Sequence, residues 1–277
     1  ETKGDLLPNE QPWRPLNPDL DKVATVANAN QETATALLTS VKKEISYLAT
    51  KMRAKFLSAR TPQVVHGVRH GRDLSERRLV ESVVEIRAGH RPTRPDWDRK
   101  NREECSLATA LVLDESGSML NLRTIVARAA LAIASPMDTL GAPCLVVGPR
   151  GGDGWPRSDA EMVEGGKKIF HRENGVTIDV FKDCNEPMTK CVRRFPNVKA
   201  TGGTPLEDGI QYAMQEMSKR PERHRVILVL TDGVPANPPV CTRQIRQAAD
   251  AGIHVIGIAL DSGCKAAVQN LFPENVG

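Results

Sequence analysis

Three short oxygen-bearing side chains follow directly after an apolar stretch of the sequence. Asp114, Ser116 and Ser118 come after residues 107–113, Leu-Ala-Thr-Ala-Leu-Val-Leu, which have the character of a buried strand. Open parallel sheets bind ligands outside the carboxyl ends of their strands, and alternate residues of an extended turn point the same way. We therefore expect the three side chains to converge on one point, with Gly117 allowing the backbone to bend.

Two later stretches supply further oxygen atoms of the same kind. Residues 201–205, Thr-Gly-Gly-Thr-Pro, form a tight loop before a helical stretch and contain Thr204. Residues 226–233 are a second apolar stretch that ends in Thr-Asp-Gly and contains Asp232. Hard oxygen donors without Cys or His suit Mg²⁺ or Mn²⁺. Because Mg²⁺ usually keeps several waters, these side chains suffice, and one coordination position is left for a carboxylate from a partner protein.

These three motifs, in this order, resemble the metal-ion-dependent adhesion site (MIDAS) of von Willebrand factor A (VWA) domains. The resemblance covers residues 105–277. It implies that the two serines coordinate the ion directly, that the two aspartates act partly through water, and that the threonine engages when the partner's acid binds. The alternative is three unrelated polar turns on an α/β domain. The implied metal ligands are Asp114, Ser116, Ser118, Thr204 and Asp232.

The same part of the chain alternates strand-like and helix-like stretches. This alternation predicts an α/β fold with a doubly wound, mostly parallel sheet, Rossmann-like as in VWA domains. Asp114 and Asp232 then lie at the ends of two central strands, and the right-handed crossover rule leaves few other topologies. We predict strands over 107–113, 143–148, 176–181, 225–231 and 253–259, and helices over 121–139, 206–219 and 240–251.

The connection over 149–175 is longer than a simple turn needs, and loops of this size are often functional. It begins with a Gly-rich stretch and contains Trp155. Trp155 could anchor a partner or could cover the edge of the sheet, and the sequence leaves both possibilities open.

The residues before the predicted VWA domain divide into two segments. Residues 1–22 carry four prolines among polar neighbours, which predicts an extended lead-in. Residues 23–104 are predicted to be a helical N-terminal region with a basic linker. Over 23–59 apolar residues repeat in the manner of a coiled-coil seam, which predicts a partner helix in the same domain or in a homo-oligomer. The seam consists of Leu38, Val41, Ile45, Leu48 and Met52.

Composition excludes several classes of protein. The 277 residues are 40% hydrophobic and 26% charged, as in ordinary globular domains. A net charge of +4 is too small for a nucleic-acid binder, and no apolar run is long enough to span a membrane. The six cysteines show no zinc-type spacing, so we expect reduced thiols and a cytoplasmic protein. The chain starts with Glu1 rather than Met and ends at Gly277, and the sequence leaves open whether it is truncated at both ends.

The sequence around the metal motif also resembles the carboxy-terminal half of the cobaltochelatase CobT family. The resemblance lies in the long helix, the segment from Gly67 to Leu79, the basic linker and the motif Leu-Asp-Glu-Ser-Gly-Ser-Met over 113–119. Residues 181–187, Phe-Lys-Asp-Cys-Asn-Glu-Pro, are similar to the strand and turn before the Gly-Gly-Thr loop of that family. The acidic stretch that usually precedes the helix in the family is not in this chain.

The likeness to CobT implies an accessory subunit that works with an AAA+ ATPase ring of the CobS or MoxR kind. The bound Mg²⁺ would take an acidic side chain from the ATPase. Nucleotide hydrolysis would then drive cobalt insertion into a corrin ring, a step of cobalamin biosynthesis, or the remodelling of another complex. The chain has no Gly-x₄-Gly-Lys-Ser/Thr loop, so we predict that it is not the ATPase and has no catalytic residue of its own.

Two other functions are compatible with the same motif. One is a protein-binding or structural VWA module with no ATPase partner. The other is a metal-dependent hydrolase of phosphate esters, which requires a general base beside the ion. Glu115 is the adjacent candidate, but its side chain should point away from Asp114 and Ser116.

Overall fold

The computed structural model describes residues 21–59, 63–68, 73–74, 76–91, 97–101, 106–151, 161–164, 167–170, 175–233, 235–260 and 262–272. These residues form two compact units. The first contains the described residues up to Thr50 together with those from Leu107 onward, and the second lies within Lys51–Ser106. The chain therefore leaves the first unit inside a helix and returns to it at the start of a strand.

Strands and helices alternate through most of the described chain. The strands are β1 (Lys22–Thr25), β2 (Gln63–Val68), β3 (Asp73–Leu74), β4 (Trp97–Asn101), β5 (Leu107–Leu113), β6 (Cys144–Gly151), β7 (Glu161–Glu164), β8 (Lys167–Phe170), β9 (Val176–Lys182), β10 (His224–Thr231) and β11 (Ile253–Ala259). The α-helices are α1 (Gln31–Ser40), α2 (Lys42–Ala59), α3 (Glu76–Arg87), α4 (Arg123–Thr139), α5 (Met188–Cys191), α6 (Leu206–Ser218), α7 (Pro238–Asp250) and α8 (Lys265–Leu271).

A six-stranded sheet forms the centre of the first unit. Its strands stand in the order β1-β9-β6-β5-β10-β11. Strands β6, β5, β10 and β11 are mutually parallel. Strand β9 is antiparallel to β6, and β1 is parallel to β9. The carboxyl ends of β6, β5 and β10 consequently meet at one edge of the sheet, next to one another.

Helices cover both faces of this sheet, because alternate residues of each strand point to opposite faces. On one face, Ala110 of β5 belongs to the same core as Leu206 and Ile210 of α6. On the other face, Thr109 of β5 reaches Met137 of α4. Burial on both faces explains why β5 is almost continuously apolar. The predicted doubly wound, mostly parallel α/β sheet is confirmed.

The start of the described chain differs from the prediction. The sequence predicts a helix from Val23, but Lys22–Thr25 form the edge strand β1, which pairs with β9. Without β1, β9 would present an open edge, and open edges readily pair with extended segments. Helix α1 begins only after Asn30, whose side chain accepts a hydrogen bond of 2.7 Å from the N–H of Thr33.

The predicted coiled-coil seam is split between two helices. Helix α1 ends at Ser40, and Val41 follows as its C-cap. Val41 is buried, whereas Leu38 is 38% exposed. Arg128 of α4 donates a hydrogen bond of 3.3 Å to the carbonyl oxygen of Ser40, so α1 packs against α4 of its own domain.

The second unit contains a small sheet, so the region before β5 is not wholly helical. Strands β2, β4 and β3 form an antiparallel sheet in that order. Val64 and Val65 pair with β4, as suits β-branched residues. Residues 1–20 of the predicted lead-in and residues 92–96 of the basic linker lie outside the described residues.

The long connection after β6 contains a hairpin of its own. Strand β6 continues to Gly151, beyond the predicted end at residue 148, and β7 pairs antiparallel with β8. Trp155 lies outside the described residues, so its role stays a prediction.

The structure also bears on the expectations about membrane spans and cysteines. None of the helices in the described ranges is long and apolar enough to cross a membrane. Cys144, Cys184 and Cys191 are buried free thiols, and burial raises the pKa of Cys184 and of Cys191 to about 11. Thiols with raised pKa values are poor nucleophiles, so these cysteines are structural.

Candidate metal centre

The candidate site lies where β5 and β10 end side by side. Leu113 pairs with Leu230 in this parallel pair, and the N–H of Asp114 donates a hydrogen bond of 2.9 Å to the carbonyl oxygen of Leu230. Asp114 and Thr231 therefore stand next to each other where the two strands end. Open α/β sheets bind their ligands at this edge.

Four of the five predicted ligands are joined by hydrogen bonds. Ser116 Oγ lies 3.0 Å from Ser118 Oγ, and Ser118 Oγ donates a hydrogen bond of 3.0 Å to Asp232 Oδ1. Asp114 Oδ1 accepts a hydrogen bond of 2.9 Å from the N–H of Ser116. The loop after β5 and the loop after β10 thus place their polar side chains in one cluster.

The fifth predicted ligand, Thr204, is connected to the cluster through its main chain. Its carbonyl oxygen accepts a hydrogen bond of 2.8 Å from the N–H of Ala236, in the loop after β10. The N–H of Gly117, in the loop after β5, donates a hydrogen bond of 3.0 Å to the carbonyl oxygen of Gly202. The Gly-Gly-Thr loop is therefore bonded to both of the loops that carry the other ligands.

Ser118 reaches the cluster by a different route from the predicted extended turn. Ser116 precedes a short 3₁₀ helix, Gly117–Asn121, and Ser118 lies in its first turn. Ser118 is exposed and Asp232 is half-buried, whereas Asp114 and Ser116 are each only 1% exposed. The cluster is therefore accessible to a partner from the side of Ser118 and Asp232.

The spacing of the oxygen atoms fits a six-coordinate Mg²⁺. In an octahedron with bonds of about 2.0–2.1 Å, neighbouring ligand oxygens lie about 2.8–3.0 Å apart. The Ser116–Ser118 and Ser118–Asp232 oxygen pairs are both separated by 3.0 Å. In the described part of the chain, no group of three or more His, Cys, Asp and Glu residues could hold a metal ion.

The buried carboxyl group of Asp114 lies in an environment that disfavours its charge. Burial raises the pKa of Asp114, and the neighbouring Asp232 raises it further, against hydrogen bonds from Thr231 and Ser116 that lower it. A divalent cation beside Asp114 would oppose this shift by favouring the ionised carboxylate.

Thr231 is a site residue that the sequence reasoning missed. It is completely buried, and its hydroxyl donates a hydrogen bond of 2.6 Å to Asp114 Oδ2. The N–H of Gly233 donates to the same hydroxyl oxygen at 3.1 Å, which directs the hydroxyl proton towards Asp114. The signal was present in the Thr-Asp-Gly motif, but only its aspartate was assigned a role.

Glu115 points away from the cluster, as expected. Its side chain is completely buried, and its Oε1 accepts a hydrogen bond of 2.6 Å from the N–H of Lys199. Burial raises the pKa of Glu115 to about 8, although the hydrogen bond from Lys199 opposes this shift. Glu115 is therefore not placed to act as a general base at the cluster, which removes the support for a hydrolase.

Glycine allows the loops to approach one another. Gly202 has a φ of +75°, and a Cβ atom on it would lie 2.9 Å from the carbonyl oxygen of Gly151 at the end of β6. A Cβ atom on Gly203 would have nothing within 4 Å. A side chain at position 202 would therefore clash with Gly151, whereas a side chain at the adjacent position 203 would fit.

We expect Gly202→Ala to destabilise the protein by about 1–2 kcal/mol, the cost of a left-handed backbone at a non-glycine residue, and to weaken Mg²⁺ binding by displacing the loop. Gly203→Ala should leave both properties close to those of the wild type. Denaturant unfolding and calorimetric titration with MgCl₂ measure the two effects. Similar losses in both variants would contradict the close approach of Gly202 to Gly151.

Part of the chain is similar to a known protein family. Residues 178–275 match the family model of the von Willebrand factor type A domain. The matched stretch contains Thr204 and Asp232, whereas Asp114, Ser116 and Ser118 precede it. No curated protein matches the chain.

Three solved structures illustrate more distant likenesses. The VWA domain of SpRpn10 is 15% identical, with 60% of this chain and 80% of that chain covered and a TM-score of 0.40. Proximal thread matrix protein 1 from the mussel byssus, with a zinc-occupied MIDAS motif, is 16% identical, with 61% and 40% covered and a TM-score of 0.43. The manganese-loaded Plasmodium vivax TRAP protein is 10% identical, with 60% and 62% covered and a TM-score of 0.40. At these values, none of the likenesses assigns a function.

Proposed function

We propose that residues 105–277 form a VWA domain, which binds Mg²⁺ and uses the ion to hold an acidic side chain of a partner protein. The observation that carries the proposal is the convergence of two serine hydroxyls and one carboxylate, 3.0 Å apart, at the ends of β5 and β10. The proposed ligands are Asp114, Ser116, Ser118, Thr204 and Asp232.

The arrangement of the ligands suits a site that accepts a carboxylate from outside. Ser118 and Asp232 reach solvent, whereas Asp114 is buried and held by Thr231. Three of the five proposed ligands are neutral hydroxyls, and aspartates that act partly through water would leave the ion electrophilic. When bound, Mg²⁺ supplies a Lewis-acid position to which a carboxylate can add.

The partner that we propose is an AAA+ ATPase ring of the CobS or MoxR kind, with this chain as a CobT-like accessory subunit in the cytoplasm. The motif over 113–119 and the residues over 181–187 support this finer assignment through their likeness to CobT. In this role, ATP hydrolysis by the partner would drive metal chelation, such as cobalt insertion into a corrin ring, or the remodelling of another complex.

Self-association through α2 belongs to the same proposal. Ile45, Leu48 and Met52 of the predicted seam are only partly buried, so they leave apolar surface on which a second copy could pack.

The test is recovery of partners by the tagged chain from a lysate of its source organism, with Mg²⁺ or with EDTA. Ser118→Ala removes an exposed ligand at little structural cost, whereas Asp114→Ala would leave the buried Thr231 hydroxyl without its acceptor. Ser218→Ala is the matched control, since Ser218 is an exposed serine at the end of α6 that bonds to Met214.

We expect an AAA+ ATPase to be recovered with Mg²⁺ by the wild type and by Ser218→Ala. It should be lost with EDTA, and Ser118→Ala should recover about tenfold less, the effect of losing about 1.4 kcal/mol of binding free energy. Equal recovery of the ATPase with EDTA would show that the metal is not involved. Recovery of a Mg²⁺-dependent partner that is not an ATPase would instead support the alternative, a VWA protein-binding module.

A further inference from the structure

Glu115 lies between two of the proposed ligands, but its side chain bonds to a different segment. Asp114 accepts a hydrogen bond from Thr231 at the cluster. Glu115 Oε1 instead accepts a hydrogen bond of 2.6 Å from the N–H of Lys199. Lys199 leads into the loop that ends at Thr204, so adjacent residues of one turn hold two different parts of the site.

Two further hydrogen bonds continue this contact towards Thr204. The carbonyl oxygen of Glu115 accepts a hydrogen bond of 2.8 Å from the N–H of Thr201, and the N–H of Gly117 donates to the carbonyl oxygen of Gly202 at 3.0 Å. Residues 115–117 and 199–202 therefore run side by side. Of these contacts, the bond to Lys199 depends on a side chain, and a shorter side chain at position 115 would not make it.

The fold makes room for this carboxyl group. A Cβ atom on Gly148 of β6 would overlap Glu115 Oε2. Glu115 Oε2 is buried and has no hydrogen-bond partner among the described residues. Because a buried polar atom without a partner is destabilising, the burial of Glu115 indicates a role other than stability.

We propose that Glu115 is a positioning residue, which holds residues 199–204 against the metal loop so that Thr204 can reach the cation. This inference rests on the proposed function of the cluster. Glu115 itself does not touch the ion, and its effect passes through the hydrogen bond to Lys199 and the loop that follows.

The test compares Glu115→Ala with Glu115→Gln by calorimetric titration with MgCl₂ alone. Alanine removes the acceptor, whereas glutamine keeps an oxygen in the place of Oε1. We expect Glu115→Ala to bind Mg²⁺ about tenfold more weakly, the scale of one hydrogen bond, and Glu115→Gln to stay within about twofold of the wild type. Equal affinities of the wild type and Glu115→Ala would overturn the proposal.

A double variant shows whether Glu115 acts through Thr204. If it does, Glu115→Ala combined with Thr204→Ala should bind Mg²⁺ no more weakly than Thr204→Ala alone, because both changes remove the same contribution. Losses that multiply in the double variant would overturn the proposed route through the loop.

Substitutions of Lys199 test the same hydrogen bond from the donor side, even if Glu115→Ala fails to fold. Lys199→Pro removes the N–H, and the preceding Val198 has φ −56° and ψ 125°, which suits a following proline. Lys199→Ala keeps the N–H and removes the ammonium group, which forms an ion pair of 3.0 Å with Asp179. We expect Lys199→Pro to weaken Mg²⁺ binding as much as Glu115→Ala does, and Lys199→Ala by less than about twofold. Equal affinities of the two Lys199 variants would contradict a role for the amide.

Amide hydrogen exchange in EDTA separates this proposal from the proposed function. The amide of Thr201 should exchange faster in Glu115→Ala than in the wild type, and at the wild-type rate in Glu115→Gln. Faster exchange together with no Mg²⁺ binding by the wild type would support the positioning of the loop and overturn the metal function. Unchanged exchange, together with tight Mg²⁺ binding by both proteins, would overturn the positioning role and leave the metal function in place.

Discussion

A chain that begins at Cys105 is expected to unfold at a much lower temperature than a chain that begins at Asp21. The shorter chain lacks β1, α1 and the residues next to them. This segment contains three buried apolar side chains, Val26, Ala34 and Val41. Burial of these side chains contributes about 4–7 kcal/mol, which is comparable to the whole stability of an ordinary domain, about 5–15 kcal/mol. The shorter chain is therefore expected to be largely unfolded.

Hydrogen bonds add to this loss. The side chain of Arg193 donates to the carbonyl oxygen of Ala29 at 3.0 and 2.9 Å, and Asn197 donates to the carbonyl oxygen of Ala27 at 2.7 Å. Thermal unfolding followed by circular dichroism compares the two chains, and the full chain controls for residues 1–20. Equal unfolding temperatures would show that the N-terminal segment is not part of the folded domain.

Mg²⁺ should raise the unfolding temperature of the wild-type protein, and should do so much less for Asp114→Asn. An ion bound at the cluster would favour the charged form of Asp114, whose pKa is raised by burial and by the neighbouring Asp232. A ligand at about a hundred times its Kd stabilises the folded state by about 2.7 kcal/mol. For a domain of roughly 150–250 residues, this corresponds to a rise of about 5–10 °C.

Asp250→Asn is the matched control for this experiment. Asp250 is exposed and ends α7, just before β11 begins, so it lies at the edge of the sheet opposite to the cluster. Its variant should gain as much from Mg²⁺ as the wild type in differential scanning fluorimetry, and EDTA should reverse the gain. A rise of the same size in Asp114→Asn would indicate that Mg²⁺ binds elsewhere.

The central strands and most of the cluster could be predicted because their signals are local. Strands β5 and β10 are apolar runs that stop at Asp114 and Asp232, and parallel pairing alone brings such ends together. The edge strand β1 carries no comparable signal, because it has four residues and Val23 is 51% exposed. What fixes β1 is its pairing with β9, which lies far away in the sequence.

The supporting contacts of the site could not be predicted for the same reason. Glu115 appears in the sequence as an acid beside a metal motif, which is compatible with a catalytic base. Its role depends on Lys199, on the absence of a side chain at Gly148 and on complete burial, all of which arise from the packing of distant segments. Thr231 likewise acquires its role from the register of β5 with β10, which places it beside Asp114.

The sequence of the first unit is interrupted, since its N-terminal piece ends at Thr50 and its main piece resumes at Leu107. A protease that cuts once between these positions would therefore produce two fragments that stay associated, because β1 remains hydrogen-bonded to β9 and α1 remains packed against α4. The intervening segment is thus an insertion within the sequence of the first unit. Its cleavage alone would not release the part that carries the candidate metal site from the N-terminal strand and helix.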